Sequence, residues 1–346
     1  MKFSKIRRAL VAAALTPLAL AGLPARAQET TALKMVLDWK MQGIHAWYFL
    51  AQDRGYFARE RIDLSIDQGD GSATAVTKVV TGTYQVAVGD FNAIVQASAM
   101  NAGQVPVMVY MLYNRPPFAI MTKATSPIRS LKDLEGKSIG SPAGGSAMKL
   151  FPVLAAKNRI DAGKVTWMNM APNLQEQMLL KDQVDAAAVF TVTSYMNLVT
   201  LRQDPDKDIR WFDYADFGIE LYGNGLMVAP KLLKEKPEVV AGLVRAVNQG
   251  LRDAAADPDA AIEALAKREP MINRELEKRR LVYAMKTLIV TPETMKVGVG
   301  DVDQQRLERS IGQLDAAVGL PRIPKTSEVF DRRFLPPLAE RQITLK

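Results

Sequence analysis

The chain has 346 residues, of which 48% are hydrophobic and 24% are charged, so its composition excludes a disordered, a collagen-like and a multi-span membrane protein. It contains no cysteine and one histidine, His45. This excludes disulfides, thiolate metal sites, cysteine nucleophiles and any site that needs two histidines. The sequence therefore predicts neither a metal nor a cofactor.

The first 27 residues have the order of regions found in a secretion signal. Four basic residues lie within residues 2–8, an apolar run of about 15 residues follows, and Ala25-Arg26-Ala27 ends the segment. The run is shorter than the roughly 20 residues that span a bilayer. We therefore predict cleavage after Ala27, with Gln28 as the first mature residue. Because no cysteine is available for lipidation, we expect a periplasmic protein without a lipid anchor.

Removing this segment takes away five basic residues and no acidic one, so the formal charge falls from +8 to +3. No concentrated basic stripe is left and no nucleic-acid motif is present, which argues against a nucleic-acid partner. The run 274–280 contains two glutamates among its basic residues and is interpreted as a solvated helix face.

The mature chain alternates strand-like and helical segments. The first set predicts strands at 33–37, 62–66, 85–88 and 105–113, with helices at 45–54, 72–81 and 91–101; the second predicts strands at 118–122, 138–140, 165–168 and 186–190, with helices at 146–157 and 174–181. Such alternation is typical of βαβ units in an open α/β sheet. From about residue 230 the pattern becomes helical, at 237–256, 258–268, 273–287 and 303–318. We expect two α/β lobes and a helical C-terminal region.

Candidate ligand-binding residues begin at the end of the first predicted strand. Leu37-Asp38-Trp39 ends this strand, and His45 follows at the start of a helix. In open α/β sheets, ligands bind at the carboxyl ends of strands, so Asp38, Trp39 and His45 are expected near a cleft. The alternative is that Trp39 belongs to the rim of the core and that His45 only starts the helix.

Glycine and serine residues open one helix in each half of the chain, namely Gly71 and Ser72 in the first half and Gly144, Gly145 and Ser146 in the second. Glycine lets backbone approach a ligand, and the first turn of a helix offers free N–H donors. Serine also caps helices without any ligand. Because the motif occurs at corresponding points of both halves, we interpret it as part of two similar sheets that face each other across a binding site.

Further candidates lie at strand ends or where the chain returns to the first lobe. They are Asp90, Phe91, Phe190, Thr191, Tyr195 and Tyr222. Their aromatic, hydroxyl and carboxylate groups suit a planar, hydrogen-bonding molecule, although Asp90 could simply cap the next helix. We find no nucleophile elbow, P-loop, zinc-protease helix or dinucleotide fingerprint, so the sequence predicts no catalytic residue and no enzyme.

Five segments together identify a family resemblance: Leu37-Asp38-Trp39 with His45, residues 49–57, residues 67–72, residues 86–90 and residues 130–140. On these, the chain resembles the periplasmic solute-binding proteins of ABC importers in the group that binds thiamine pyrimidine precursors, sulfonates or nitrate. The resemblance implies a type II periplasmic-binding-protein-like fold. Residues 31–114 and 222–346 would form lobe 1, and residues 115–221 would form lobe 2.

The resemblance also implies a function. The protein would be a monomer that captures a small planar, pyrimidine-like or aromatic ligand between its lobes and delivers it to an ABC permease and its ATPase. A sulfonate, taurine or nitrate ligand is the alternative within the same fold, for which Arg115 and Lys149 are the nearest basic candidates. A sensor, or a single-turnover enzyme like the fungal pyrimidine synthases, is a further alternative. Those synthases carry a cysteine-rich iron motif, which this chain lacks.

Overall fold

The computed structural model describes residues 30–345, so the predicted secretion signal lies outside the described residues. The strands are β1 (Thr31–Val36), β2 (Ile62–Asp67), β3 (Val86–Asp90), β4 (Val107–Met111), β5 (Phe118–Lys123), β6 (Ser138–Ser141), β7 (Thr166–Asn169), β8 (Ala186–Phe190), β9 (Ile209–Asp213) and β10 (Asn224–Val228). The α-helices are α1 (Ala46–Asp53), α2 (Tyr56–Arg59), α3 (Ser72–Val80), α4 (Phe91–Met100), α5 (Ser146–Lys157), α6 (Gln175–Leu180), α7 (Thr191–Thr200), α8 (Pro230–Glu235), α9 (Pro237–Ala256), α10 (Pro258–Ala266), α11 (Arg274–Ala284), α12 (Thr294–Val297), α13 (Gln304–Val318) and α14 (Thr326–Val329). Short 3-10 turns lie at Gly43–His45, Leu131–Leu134, Ala162–Lys164, Pro172–Leu174, Tyr214–Phe217, Arg332–Phe334 and Leu338–Arg341, and a π turn (Met285–Ile289) extends α11.

The strands form two five-stranded sheets of corresponding order, β2-β1-β3-β10-β4 and β7-β6-β8-β5-β9. In each sheet the first three strands are parallel. The fourth strand, β10 or β5, is antiparallel to both of its neighbours. Parallel strands joined by helices put the loops after the strands on one edge of each sheet. Both sheets therefore present the same kind of edge to a ligand.

Two segments connect the sheets. One joins β4 to β5 across residues 112–117, and the other joins β9 to β10 across residues 214–223. Backbone hydrogen bonds tie the two together, since Gly223 N donates to Tyr113 O at 2.9 Å and Tyr113 N donates to Asn224 O at 2.8 Å. The structure confirms the predicted fold class of two α/β sheets with a helical C-terminal region. The exact lobe boundaries at residues 114 and 222 stay a prediction.

The C-terminal helices cover the first sheet. Helix α9 packs on α1, and both contribute to one continuous core with strands β1, β3 and β4. The close approach of α1 and α9 depends on Gly250, because a Cβ there would lie 2.5 Å from Trp47 O. Within residues 30–345, no helix is both long and apolar enough to cross a membrane.

Candidate functional site

A cavity lies between the two sheets, where the loops after β1 and β8 meet the starts of four helices. We call it the main cavity. Its lining consists of Asp38, Trp39, Ile44, Gly71, Ser72, Phe118, Pro142, Gly144, Gly145, Ser146, Ala147, Pro172, Gln175, Ala188, Val189, Phe190, Thr193 and Ser194. Both lobes contribute to it, as expected for a ligand held between two lobes. Its volume of about 80 Å³ corresponds to the space of several water molecules.

The loop that carries Asp38 and Trp39 is fixed by backbone contacts with residues 69–71. Gly69 N donates to Trp39 O at 3.0 Å, and Gly71 N donates to Asp38 O at 2.8 Å. Gly71 has φ +126°, in the region that favours glycine, and a Cβ at Gly69 would lie 1.9 Å from Leu37 O. These glycines therefore bring the end of β1 against the start of α3.

The Asp38 carboxylate is buried and held through both of its oxygens. Asn224 Nδ2 donates to Oδ2 at 2.7 Å, and His45 Nε2 lies 3.0 Å from Oδ1. Gln42 N donates to His45 Nδ1 at 3.2 Å, so Nδ1 is an acceptor and the proton of the neutral ring lies on Nε2. His45 therefore donates to Asp38 and orients the carboxylate toward its place in the lining.

His45 itself is almost completely buried and is not part of the cavity lining. Both of its ring nitrogens are already engaged, by Asp38 and by Gln42 N. The structure thus gives His45 the role of a positioning residue behind Asp38, and its predicted contact with ligand stays a prediction.

Two longer helices begin at the main cavity, one from each lobe. The residues before them are Gly71 for α3 and Gly145 for α5, and neither N-terminus has a side-chain cap. Ser72 and Ser146 are the first residues of these helices and line the cavity. The two loops lie close together, since a Cβ on Gly71 would be 3.9 Å from Gly144 O. The predicted pair of glycine and serine motifs therefore meets across the cavity.

Aromatic rings form part of the wall. Phe190, at the end of β8, packs edge-on against Phe118 and Tyr113, with ring centroids 6.2 and 6.0 Å apart. Trp39 is half-buried on the opposite lobe. Such rings offer apolar faces on which a planar ligand can stack.

The other predicted site residues lie outside the main cavity. Phe91 is buried against Tyr222, with ring centroids 6.4 Å apart. The hydroxyl of Tyr222 donates to Glu293 Oε1 at 2.7 Å, and that of Thr191 donates to Pro117 O at 3.3 Å. Tyr195 stacks on Tyr283 and donates to Asp206 Oδ2 at 2.7 Å. In each case the ring or the hydroxyl that was expected to contact a ligand instead contacts another part of the protein.

Asp90 ends β3 and caps α4, as the structural alternative had proposed. Its Oδ1 accepts hydrogen bonds from Asn92 N at 2.8 Å and from Asn92 Nδ2 at 2.7 Å. Burial raises the pKa of Asp90 to about 6, although hydrogen bonds from Asn92 and Ser146 favour its charged form. Asp90 therefore lies directly behind Ser146, next to the main cavity but not in its lining.

Several lining residues were not singled out from the sequence. Gln175 and Ser194 belong to the first turns of α6 and α7. Their positions, just after a predicted strand or at a predicted helix start, could have identified them as candidates. Side chains at such positions face the carboxyl edge of the sheet, where ligands bind. Gln175 is fixed by a hydrogen bond from its Nε2 to Ala188 O at 2.8 Å.

The main cavity is lined by an acidic side chain. Asp38 is the charged side chain among the described lining residues. Arg115 lies elsewhere and pairs with Asp216 at 2.7 Å, while Lys149 lines a neighbouring cavity. Among residues 30–345 there is no cluster of three or more potential metal ligands.

Comparison with known proteins places the chain among solute-binding relatives and some synthases. A family model described as NMT1/THI5 like matches residues 42–261. Over 298 residues, the chain is 26% identical to the riboflavin-binding protein RibY of Chloroflexus aurantiacus, covering 84% of this chain and 82% of that protein. Identity is 25% over 270 residues to the 4-amino-5-hydroxymethyl-2-methylpyrimidine phosphate synthase of Legionella pneumophila, covering 76% of this chain and 84% of that one. The chain is 22% identical over 287 residues to the formylaminopyrimidine-binding protein of Halalkalibacterium halodurans, covering 82% of this chain and 84% of that protein.

Solved structures show the same fold. The alkanesulfonate-binding protein SsuA from Xanthomonas axonopodis pv. citri, bound to MOPS, superimposes with a TM-score of 0.66 at 18% identity, covering 88% of this chain and all of that one. The chain thus has the periplasmic-binding-protein-like fold that the sequence predicts.

Proposed function

The chain belongs to the NMT1/THI5-like family, and we propose that it is a solute-binding protein for a small planar, nitrogen-containing ligand of the aminopyrimidine kind. The observation that carries the proposal is the Asp38 carboxylate, held by His45 and Asn224 and placed in the cavity lining beside Trp39. A buried carboxylate accepts hydrogen bonds and donates none, so it recognises N–H groups.

The charge of the site separates this ligand class from the anionic alternative. A sulfonate or nitrate would have to share the main cavity with the Asp38 carboxylate, and no lysine or arginine of the described residues lines it. The starts of α3 and α5 favour an anion, but a helix start carries only a partial charge. A ligand with amino or ring N–H groups meets Asp38 directly and stacks on Trp39 or Phe190.

The relatives support a carrier with this ligand class. Two of them are named as binding proteins, one for riboflavin and one for formylaminopyrimidine, both of which contain planar nitrogen heterocycles. We propose that this chain works in the periplasm and delivers its ligand to an ABC permease. The predicted secretion signal and the fold are what support this location and partner.

A synthase is the competing function, because three of the relatives are named as 4-amino-5-hydroxymethyl-2-methylpyrimidine phosphate synthases. The chain has no cysteine and so lacks the cysteine-rich iron motif of the fungal pyrimidine synthases. The burial of His45 and the engagement of both its nitrogens argue against its use as a reacting group. Mass spectrometry of the protein from its host separates the two functions: a carrier yields unaltered ligand and intact His45, whereas a synthase yields a modified His45.

Titration calorimetry on Asp38→Asn tests the proposed ligand recognition. The substitution keeps the shape of the side chain and removes its charge, so a charge-assisted hydrogen bond of about 1.5–3 kcal/mol is lost. We expect the dissociation constant for 4-amino-5-hydroxymethyl-2-methylpyrimidine to rise about 10- to 100-fold.

The control is Asp70→Asn in the neighbouring loop. Asp70 is exposed and pairs with Lys40 at 2.8 Å, outside the cavity lining, so this variant should bind like the wild type. Tight binding of taurine or nitrate by the wild type, with no binding of the aminopyrimidine, would refute the proposed ligand class.

A further inference from the structure

A second cavity adjoins the main cavity on the side of α3 and α4. We call it the side cavity. It has a volume of about 210 Å³ and lies between these helices of the first lobe and α5 of the second. Gly144 and Ser146 line both cavities, so the two spaces meet at the start of α5.

The side cavity contains a buried acceptor without a partner. Asn92 is 1% exposed and lines this cavity. Its Nδ2 donates to Asp90 Oδ1 at 2.7 Å and to Tyr222 O at 2.8 Å, which fixes the orientation of the amide. Its Oδ1 accepts no hydrogen bond within the described residues. Because a buried acceptor without a donor destabilises the fold, this oxygen is suited to a donor brought by a ligand.

The other polar groups define which donor fits. Lys149, Gln96 and Asp90 line the side cavity together with Ser146. The Lys149 ammonium has no hydrogen-bond or ion-pair partner within the described part of the chain. Lys149 can donate to an oxygen of the ligand, while Asn92 Oδ1 requires a donor from it.

A hydroxyl meets both demands, since it donates once and accepts at the same atom. A carboxylate or phosphate has no proton for Asn92 Oδ1 and would lie near the Asp90 carboxyl. An ammonium would be attracted by the Asp90 carboxyl, but it would be repelled by Lys149 and has no lone pair to accept a hydrogen bond from it. The polar groups of this cavity therefore favour a neutral, hydroxyl-bearing group.

We propose that the ligand has two parts, a planar ring in the main cavity and a neutral hydroxyl-bearing arm that enters the side cavity and donates to Asn92 Oδ1. This inference rests on the proposed function and extends it, because it assigns a second subsite and the chemical class of the substituent that it takes. Ser146 lies where the two parts of such a ligand join.

Two matched pairs of probes test the arm. The two members of a pair share the ring and differ in the hydroxyl-bearing substituent. The first pair is 4-amino-5-hydroxymethyl-2-methylpyrimidine and 4-amino-2,5-dimethylpyrimidine. The second is riboflavin and lumiflavin, which share the ring system and differ in the polyol arm. Titration calorimetry on the full mature chain should give, in at least one pair, about tenfold tighter binding of the hydroxylated member.

Variants of the side cavity show whether that advantage arises there. Lys149→Met and Gln96→Leu should reduce the tenfold difference to about twofold or less, while the probe without the arm binds as it does to the wild type. Lys157→Met, at the last residue of the same helix α5 and outside both cavities, is the matched control and should keep the full difference. These variants leave the Asn92 amide and its hydrogen bonds intact, so folding is preserved.

The outcomes separate this inference from the proposed function. Equal affinity within both pairs, with clear binding of the rings, would overturn the arm subsite and leave the ring site standing. A hydroxyl advantage that survives in Lys149→Met and Gln96→Leu would likewise overturn it. If no probe binds, the proposed ligand class itself fails, and the arm subsite fails with it.

Discussion

Trp39 and Trp167 are both half-buried, but they have different surroundings. Trp39 lines the main cavity, whereas Trp167 packs against Phe151 in the second lobe, with ring centroids 5.3 Å apart. We expect Trp39→Ala to weaken binding of the aminopyrimidine probe by about 1.5–3 kcal/mol, because an aromatic surface is no longer buried on binding. Trp167→Ala should lower the free energy of unfolding and leave affinity unchanged. Titration calorimetry and urea unfolding on both variants measure these effects.

If Trp39→Ala binds the probe like the wild type and only loses stability, the proposed role of Trp39 in ligand binding is wrong. In that case Trp39 would be a rim residue of the core, which is the structural alternative that the sequence left open.

Asp90 should make stability depend on pH. Burial raises its pKa to about 6 in the folded chain, above the ordinary value near 4. The native state therefore holds this proton more tightly than the unfolded state does. The stability that results is present below pH 4 and is lost as the pH rises from about 4 to about 6.

Asp90→Asn cannot ionise, and its amide oxygen can still cap α4. We expect its free energy of unfolding, relative to the wild type, to increase by about 1–3 kcal/mol between pH 4 and pH 7. Asp213, whose pKa burial also raises to about 6, is present in both proteins, so the difference isolates Asp90. Urea unfolding at a series of pH values measures it, and parallel curves for the two proteins would contradict the assignment.

At the residue scale, the sequence predicted the parts of the site that follow a local rule. Trp39, Phe190 and the glycine–serine helix starts all lie at carboxyl ends of strands or first turns of helices, and the structure brings them together. Tyr195 and Tyr222 have suitable chemistry, but Tyr195 is bonded to Asp206 in the loop after α7, and Tyr222 to Glu293, which is distant in sequence. Only the tertiary structure shows that those hydroxyls are already engaged.

At the scale of elements, helix α11 connects the turn Gly43–His45 to the second lobe. Glu277 accepts from Gly43 N at 2.5 Å and pairs with Arg280, whose Nε lies 3.0 Å from Glu277 Oε2. Arg280 also donates to Val192 O and Thr193 O at the start of α7. This buried pair therefore holds the turn before His45 and the first turn of α7 in one arrangement.

Removing one member of the pair should destabilise the protein strongly. Arg280→Met leaves the Glu277 carboxylate buried without its partner, which costs about 3–5 kcal/mol. Arg274→Met is the control on the same helix, because Arg274 and Glu263 form an exposed pair, worth about 0–1 kcal/mol. Urea unfolding of both variants measures the difference. Similar small losses in both would show that the buried pair does not hold these elements.

The elements with strong local patterns were predicted well from the sequence. The predicted bounds of α5, β8 and α9 agree with the structure. Strands β9 and β10 were missed. Strand β10 lies between β3 and β4, which are far from it in sequence, and Gly225 is needed there because a Cβ would lie 2.5 Å from Tyr110 O. The position of β10 in the sheet depends on pairing with strands distant in sequence, and it leaves no periodic signal in the local sequence.

At the scale of the whole molecule, the two lobes contact each other across the main cavity. Thr193 Oγ1 of the second lobe donates to Gln42 Oε1 of the first at 3.2 Å, next to the Arg280 contacts. The two segments that join the sheets lie side by side and are hydrogen-bonded to each other. A hinge at residues 114–118 and 220–222 would open the cavity without disturbing either sheet.

We therefore expect ligand to close the lobes about this hinge. Small-angle scattering should show a smaller radius of gyration with saturating aminopyrimidine probe than without it, approaching the value of about 20 Å for a compact chain of this size. Trp39→Ala at the same probe concentration is the control, because a variant that binds weakly should stay open. Identical scattering with and without ligand, at a concentration where calorimetry shows full occupancy, would exclude hinge closure, since a cavity bounded by both lobes could then fill without any change in their separation.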